Sequence, residues 1–523
     1  MPSEASLHRG DSVAVGLLAN YGGKTAVALL TVFTLPVLYQ QLHSEGFGLF
    51  GFFYSLLALT TLLDFGLSSA VQRDLAMQST EGDPADRLIR MQRCIYSLEL
   101  PVALIALALL LGVTAAAQWL ASAWLQPRGL SSTDVAWSIR WMALAAVSQL
   151  LATYYTGCLN GLSQFKRVNG IQTGFALLRF AGMLTVSGWL IPNDHPLAQR
   201  VVEVFAVWAL ANLGMATFQR ITLLRRFRGL GRPQLDRGYL RRAYAFGLSV
   251  AGVTLLIMVF NQVDKLAASR TLDLAQLGHY SMVWSLADVL YLFYFPIYTS
   301  FLPVFAARAG DATLPALRES IVLAWSCMSL AMAPAAISIL LWPDYAIWAW
   351  TGDAALGSSW GYLLAVAIAG ATFNAYLFVI FAVQQARGGL GAWTPLVALA
   401  LVPYLPLSIG AMAWWGAAGG IIAWSTASIA LASLLMHSCL SDEKYREIRR
   451  PLILSAVKTI AACTVAGLAI RMLLPAATNR WTALATLAAA ACTLYLVAAA
   501  YAQRPLSARI LRYLRAAPAV RGL

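Results

Sequence analysis

Several ionisable side chains stand inside long apolar stretches of this chain, where water cannot be assumed to pay their hydration. Lys24 has Asn20 one helical turn before it and Thr31 two turns after, so one face would carry an ammonium beside two hydrogen-bonding groups. Arg179 stands in another apolar stretch, with Gln172 two turns earlier. Two such cations can hold phosphate oxygens: a low dielectric strengthens a charge-assisted hydrogen bond, and a guanidinium engages two oxygens at once. The same two residues would serve as structural partners for carboxylates on neighbouring helices. Arg140 either faces the same space or reaches along its aliphatic stem toward the interface, as expected of Arg220. Arg73 either admits an anionic headgroup or anchors a helix end.

Carboxylates share these stretches. Asp64 and Asp288 are placed to carry a proton or hold Na+, which would couple the protein to an ion gradient. Asp288 falls on one helical face with Tyr280, Trp284 and Tyr291, a pattern that suits sugar stacking and plain aromatic packing equally. Asp264 beside Lys265 reads as an ion pair closing two lobes. Five histidines and six isolated cysteines form no metal or nucleophile constellation, so no catalytic residue, metal or cofactor is expected beyond H+ or Na+ coupling.

The elements that position these residues follow from composition. The chain has 523 residues, 59% hydrophobic and only 11% charged, with a mean hydropathy of +0.67. A soluble domain carries about a quarter charged residues, so the fold class is all-α, a polytopic membrane protein. The net charge of +14 does not indicate nucleic acid, because the basic residues fall in short loops between apolar runs. There they set topology and meet anionic membrane lipids.

About 14 transmembrane runs can be laid out, from 13–41 to 481–502. Of 37 basic residues, roughly 26 fall on one side of that layout and roughly 5 on the other, which places both termini in the cytoplasm of a bacterial inner membrane. The division is 1–224 as an N-lobe of six spans, 225–242 as a basic cytoplasmic linker and 243–440 as a second six-span lobe. Residues 441–502 hold two extra spans, and 503–523 form a basic tail that either lies on anionic lipid or is solvated. No segment between spans is long enough for a catalytic domain.

The halves echo each other. Gly48 to Ala76 matches Gly278 to Ala306, aligning Gly48 with Gly278, Ser55 with Ser285 and Phe65 with Phe295. Here the chain resembles a family. Gly46-Phe47-Gly48-Leu49-Phe50, then Leu63-Asp64-Phe65-Gly66-Leu67 and Arg73, is similar to the second-span signature of the Wzx-type polysaccharide flippases of the multidrug/oligosaccharidyl-lipid/polysaccharide exporter superfamily. Asn261-Gln262-Val263-Asp264-Lys265, Leu277-Gly278-His279-Tyr280 and Pro303 agree with it in the second half. The resemblance implies two pseudo-symmetric six-helix lobes around a central cavity, worked by alternating access. It also implies an isoprenoid-pyrophosphate-linked oligosaccharide as substrate, moved from the cytoplasmic to the periplasmic leaflet alongside polymerase and chain-length proteins of the same pathway. Lys24 and Arg179 would then meet the pyrophosphate. The alternatives are a cation-coupled multidrug antiporter of the same superfamily, whose cavity should be governed by carboxylates, and a membrane-embedded oligosaccharide polymerase or ligase, which needs a large external loop.

Overall fold

Every apolar run lies on a helix, and no strand occurs among the described residues. The computed structural model describes the backbone of residues 4–78, 84–227, 235–310 and 314–502; of these, the side chains of 4–26, 28, 29, 84, 85, 246–254, 390, 501 and 502 fall outside the description. In a bilayer the backbone must satisfy its own hydrogen bonds, and helices do so within one segment. Ten stretches among the described residues are both long and apolar enough to cross a membrane. The protein is an all-α, multi-pass membrane protein, divided by its packing into two compact units at His279 and Tyr280.

The N-terminal unit contains α1 (Glu4–Leu63), α2 (Leu67–Gln78), α3 (Pro84–Trp119), α4 (Ser132–Gly161), α5 (Phe165–Val186), α6 (Leu197–Leu224), α7 (Arg237–Thr271) and the start of α8 (Leu274–Ala287). α1 is two helices joined at His43, whose φ of 55° and ψ of −174° break the ladder. Just beyond that break the Glu45 carboxylate accepts the backbone N–H groups of Arg128 at 3.1 Å and of Gly129 and Leu130 at 2.8 Å, clamping the connection from α3 to α4.

The run predicted over 47–71 is interrupted. Phe65 and Gly66 take left-handed φ of 47° and 71°, and α2 starts anew at Leu67. The freed N–H groups need partners in an apolar setting, and the Asp64 carboxylate accepts the Ser68 N–H at 3.3 Å as well as the Ser68 hydroxyl. The Leu-Asp-Phe-Gly-Leu stretch is thus a capped turn. The echoed glycines meet within this unit: a Cβ on Gly48 would lie 2.2 Å from the Leu274 carbonyl oxygen, and one on Gly278 would lie 1.9 Å from that of Ser44. Only glycine lets the two backbones approach this closely.

The C-terminal unit contains the end of α8, α9 (Tyr291–Ala307), α10 (Leu314–Leu341), α11 (Pro343–Thr351), α12 (Ala354–Ala386), α13 (Thr394–Leu440), α14 (Arg446–Leu473) and α15 (Arg480–Val497). α13 is likewise two helices, reversing at Gly416 with φ of 57°. α10 packs on α9, α12, α14 and α15. Ala333, Ile337, Cys463 and Leu494 bury the last two helices against it. α11 is a short helix that the apolar pattern does not separate from its neighbours, started by Pro343 and stopped by Gly352 at φ 84°.

Candidate functional site: a polar seam in the N-terminal unit

α4, α5 and α6 each place a polar pair two turns apart on one face: Gln149 and Thr156, Gln172 and Arg179, Asn212 and Gln219. The helices pack so that these pairs form two layers, each taking one residue from every helix. In the first, Asn212 donates to Gln149 Oε1 at 3.3 Å, and its own Oδ1 accepts from Arg179 at 3.4 Å. In the second, Thr156 Oγ1 accepts from Gln172 and from Gln219, both at 3.1 Å. Asn212 also donates to the Ala145 carbonyl at 3.3 Å, which fixes its amide.

Beside the seam lies a cavity of about 280 Å³ lined by Val27, Gln149, Asn169, Gln172, Arg179 and Asn212, among others. The Arg179 guanidinium carbon sits 4.5 Å from the Trp208 ring centroid and 4.8 Å from that of Phe180. Two aromatic faces therefore stabilise the cation where water does not reach all of it. Its Nε is buried with no hydrogen-bond partner, and so is the Asn169 amide nitrogen. No carboxylate lies within ion-pair distance of Arg179 among the described residues; its one hydrogen-bond partner there is the neutral Asn212. A half-buried cation lacking a counter-charge is costly, and an anion in the adjoining cavity would relieve that cost.

The other sequence candidates are dispersed. Lys24 and Asn20 lie on α1, with Lys24 one turn before the cavity-lining Val27; their side chains are outside the described residues. Arg140 stacks on its helix neighbour Trp137 at 4.7 Å. Arg73 pairs with the adjacent Asp74 at 2.7 Å, and Arg220, expected to reach the interface unaided, pairs with Glu99 at 2.6 Å. Asp64 caps α2. Asp264 is fully buried, with Lys265 Nζ 3.6 Å away; Lys265 also donates to the Asn261 carbonyl at 2.8 Å. Both belong to the N-terminal unit. Asp288 is exposed and opens a single 3₁₀ turn, Asp288–Leu290, between α8 and α9. That turn splits the expected aromatic face: Tyr280 and Trp284 are buried, with Trp284 4.5 Å from Trp424, whereas Tyr291 is exposed and stacks on Phe295. Gln149, Thr156, Asn212, Gln219 and Asn169 are absent from the sequence candidates, although the two-turn spacing of the first four on their helices is a readable signal.

The sequence profile of a family described as "Polysaccharide biosynthesis protein" matches residues 13–308, more than half of the chain. Among curated proteins nothing matches significantly. Among solved structures the chain is similar to a lipid II flippase, MurJ, in an inward closed conformation, with a TM-score of 0.66 at 12% identity over 94% of this chain and 99% of that one. It is also similar to a multidrug resistance MATE family transporter of the MOP superfamily. The inward-facing conformation gives a TM-score of 0.61 at 14% identity over 84% of this chain and 96% of the other. The outward-facing one gives 0.52 at 14% identity over 84% and 94%. At such identities the likeness is one of fold.

Proposed function

The chain belongs to the polysaccharide biosynthesis protein family, and we propose that it is a flippase for an undecaprenyl-pyrophosphate-linked oligosaccharide. It moves that substrate from the cytoplasmic to the periplasmic leaflet of a bacterial inner membrane, with both termini cytoplasmic, and catalyses no covalent step. The observation that carries this reading is Arg179: a cation held by aromatic faces and a neutral amide, next to a polar cavity, with no carboxylate among the described residues to neutralise it.

Arg179 and the seam amides offer several donors to phosphate oxygens. Lys24, one turn from the lining residue Val27, supplies a second positive charge as α1 moves during alternating access. MurJ, a lipid II flippase, shares this fold over nearly the whole chain, which supports a lipid-linked substrate. A multidrug cation would call for a negative cavity, yet the lining described here contains no carboxylate. Asp288, exposed midway along an apolar stretch, is the residue we assign to H+ or Na+ coupling. Polymerase and chain-length proteins of the same pathway are the expected partners.

The test is made in cells. Arg179→Ala, alone and with Lys24→Ala, should leave sugar-loaded carrier lipid accumulating on the cytoplasmic leaflet while the protein still reaches the membrane. Normal glycan export by the double variant would remove the site assignment.

A further inference from the structure

A second pocket, of about 610 Å³, opens on the N-terminal unit where α5 begins and α6 ends. Its rim carries Arg167 from α5 and Arg225 and Arg226 from the turn after α6, with Gln164 between them. Arg167 donates to Gln164 Oε1 at 3.3 Å, a neutral acceptor, and none of the three arginines has a carboxylate within ion-pair distance among the described residues. The neighbouring residues 228–234 add Arg228 and Arg232 and no acid to the sequence. Three guanidinium groups from two elements therefore share one concavity without a counter-charge. Their mutual repulsion is relieved by salt or by an anion. The inner wall is apolar: Ile171 and the half-exposed ring of Phe218 line it, and Leu177, Leu178, Leu210 and Ile221 continue the exposed apolar surface along both helices.

A charged rim above an apolar strip, at the end of α5 that the charge asymmetry assigns to the cytoplasm, matches an amphiphile lying in the leaflet with its phosphate at the interface. We infer that this pocket holds the phosphate headgroup of an anionic lipid, with Arg167, Arg225 and Arg226 as its donors and the Ile171–Phe218 wall against the chain. The position separates it from the polar seam. Arg167 and Ala176, a residue lining the seam cavity, are two and a half turns apart, so they occupy opposite faces of α5. Arg179 itself stands twelve residues beyond Arg167, about 120° round α5, so the pocket is a docking place separate from the seam on the same helix. The inference of a lipid phosphate stands on the pocket alone; that the lipid is the transported carrier rests on the proposed flippase function.

The experiment uses full-length protein in nanodiscs of phosphatidylcholine and measures binding of farnesyl pyrophosphate, dioleoyl phosphatidylglycerol, inorganic pyrophosphate and, as the uncharged control, farnesol. Wild-type protein should bind the two lipid phosphates about 100-fold more tightly than the combined Arg167→Gln, Arg225→Gln, Arg226→Gln variant, which loses three interfacial cations. Farnesol should bind the two proteins equally. Tighter binding of farnesyl pyrophosphate than of phosphatidylglycerol identifies the carrier as occupant; the reverse order identifies a resident phospholipid. Inorganic pyrophosphate binding as tightly as farnesyl pyrophosphate would overturn the lipid assignment. Equal binding of lipid phosphates by wild type and the triple variant, with matching thermal melts, would overturn the site. An Arg179→Gln variant separates the two readings: it should retain pocket binding whether or not it transports.

Discussion

The two units bury polar side chains of different kinds. In the C-terminal unit the buried polar residues among those described, aromatic and cysteine side chains apart, are all serine or threonine: Ser281, Ser320, Ser329, Ser338, Thr351, Ser408, Ser425, Ser428 and Thr459. Several spend their hydroxyl on their own helix, as Ser338 does on the Ala335 carbonyl at 2.8 Å and Thr459 on that of Ser455 at 2.7 Å. Hydroxyls bonded in this way are satisfied before any ligand arrives, whereas those of Ser408, Ser425 and Ser428 are buried without a hydrogen-bond partner. The N-terminal unit buries serines and threonines as well, together with Asp64 and Asp264, but adds Asn169, Asn212 and Gln219 with Arg179 beside them, and joins Asn212, Gln219 and Arg179 to neighbouring helices. Amides and guanidinium groups have more donors and acceptors than one helix can occupy, so a remainder faces the cavity. This contrast is the reason we propose the first unit, rather than the second, as the place of phosphate recognition.

The comparison breaks most readily at Arg179. Arg179→Ala should lower transport by about 100-fold, the loss of a charge-assisted contact of up to about 3 kcal/mol, measured as glycan export at equal membrane abundance. Asn212→Leu removes the partner that orients Arg179 and leaves the Gln149 amide oxygen unpaired; a fall of about tenfold in transport is expected from the same assay. Gly278→Val drives a side chain into the Ser44 carbonyl. It should destabilise the N-terminal unit by about 1–3 kcal/mol, seen as a lower melting temperature in detergent. Ser338→Ala, in the C-terminal unit, takes away a hydroxyl bonded only within its helix, and transport should stay within about twofold of wild type. A large loss there would show that the second unit's hydroxyls are not merely packing.

Much of the architecture was legible before any coordinates. A run of about twenty apolar residues has few stable forms besides a spanning helix, and basic loops mark its ends. Local breaks were harder to read. Asp64 followed by Gly66 is a cap-and-breaker pair, yet the apolar residues on both sides carry the hydropathy signal straight through it. Pro343 and Gly352 bound α11 in the same unobtrusive way. Arg179 was found because an isolated cation in an apolar run stands out. Its amide neighbours were missed because their meaning depends on how three helices are rotated against one another, which no single run encodes. Arg220 shows the same limit, since its partner Glu99 lies on a helix distant in sequence.

We propose above all that Arg179 recognises a phosphate-bearing lipid. The most direct test reconstitutes purified wild-type, Arg179→Lys and Arg179→Gln proteins in liposomes and follows flipping of a fluorescent polyprenyl-pyrophosphate oligosaccharide through loss of protection from an impermeant quencher. The account predicts wild-type flipping, a reduced rate for lysine, which keeps the charge without the bidentate fork, and the protein-free baseline for glutamine. Flipping by the glutamine protein at the wild-type rate would contradict it.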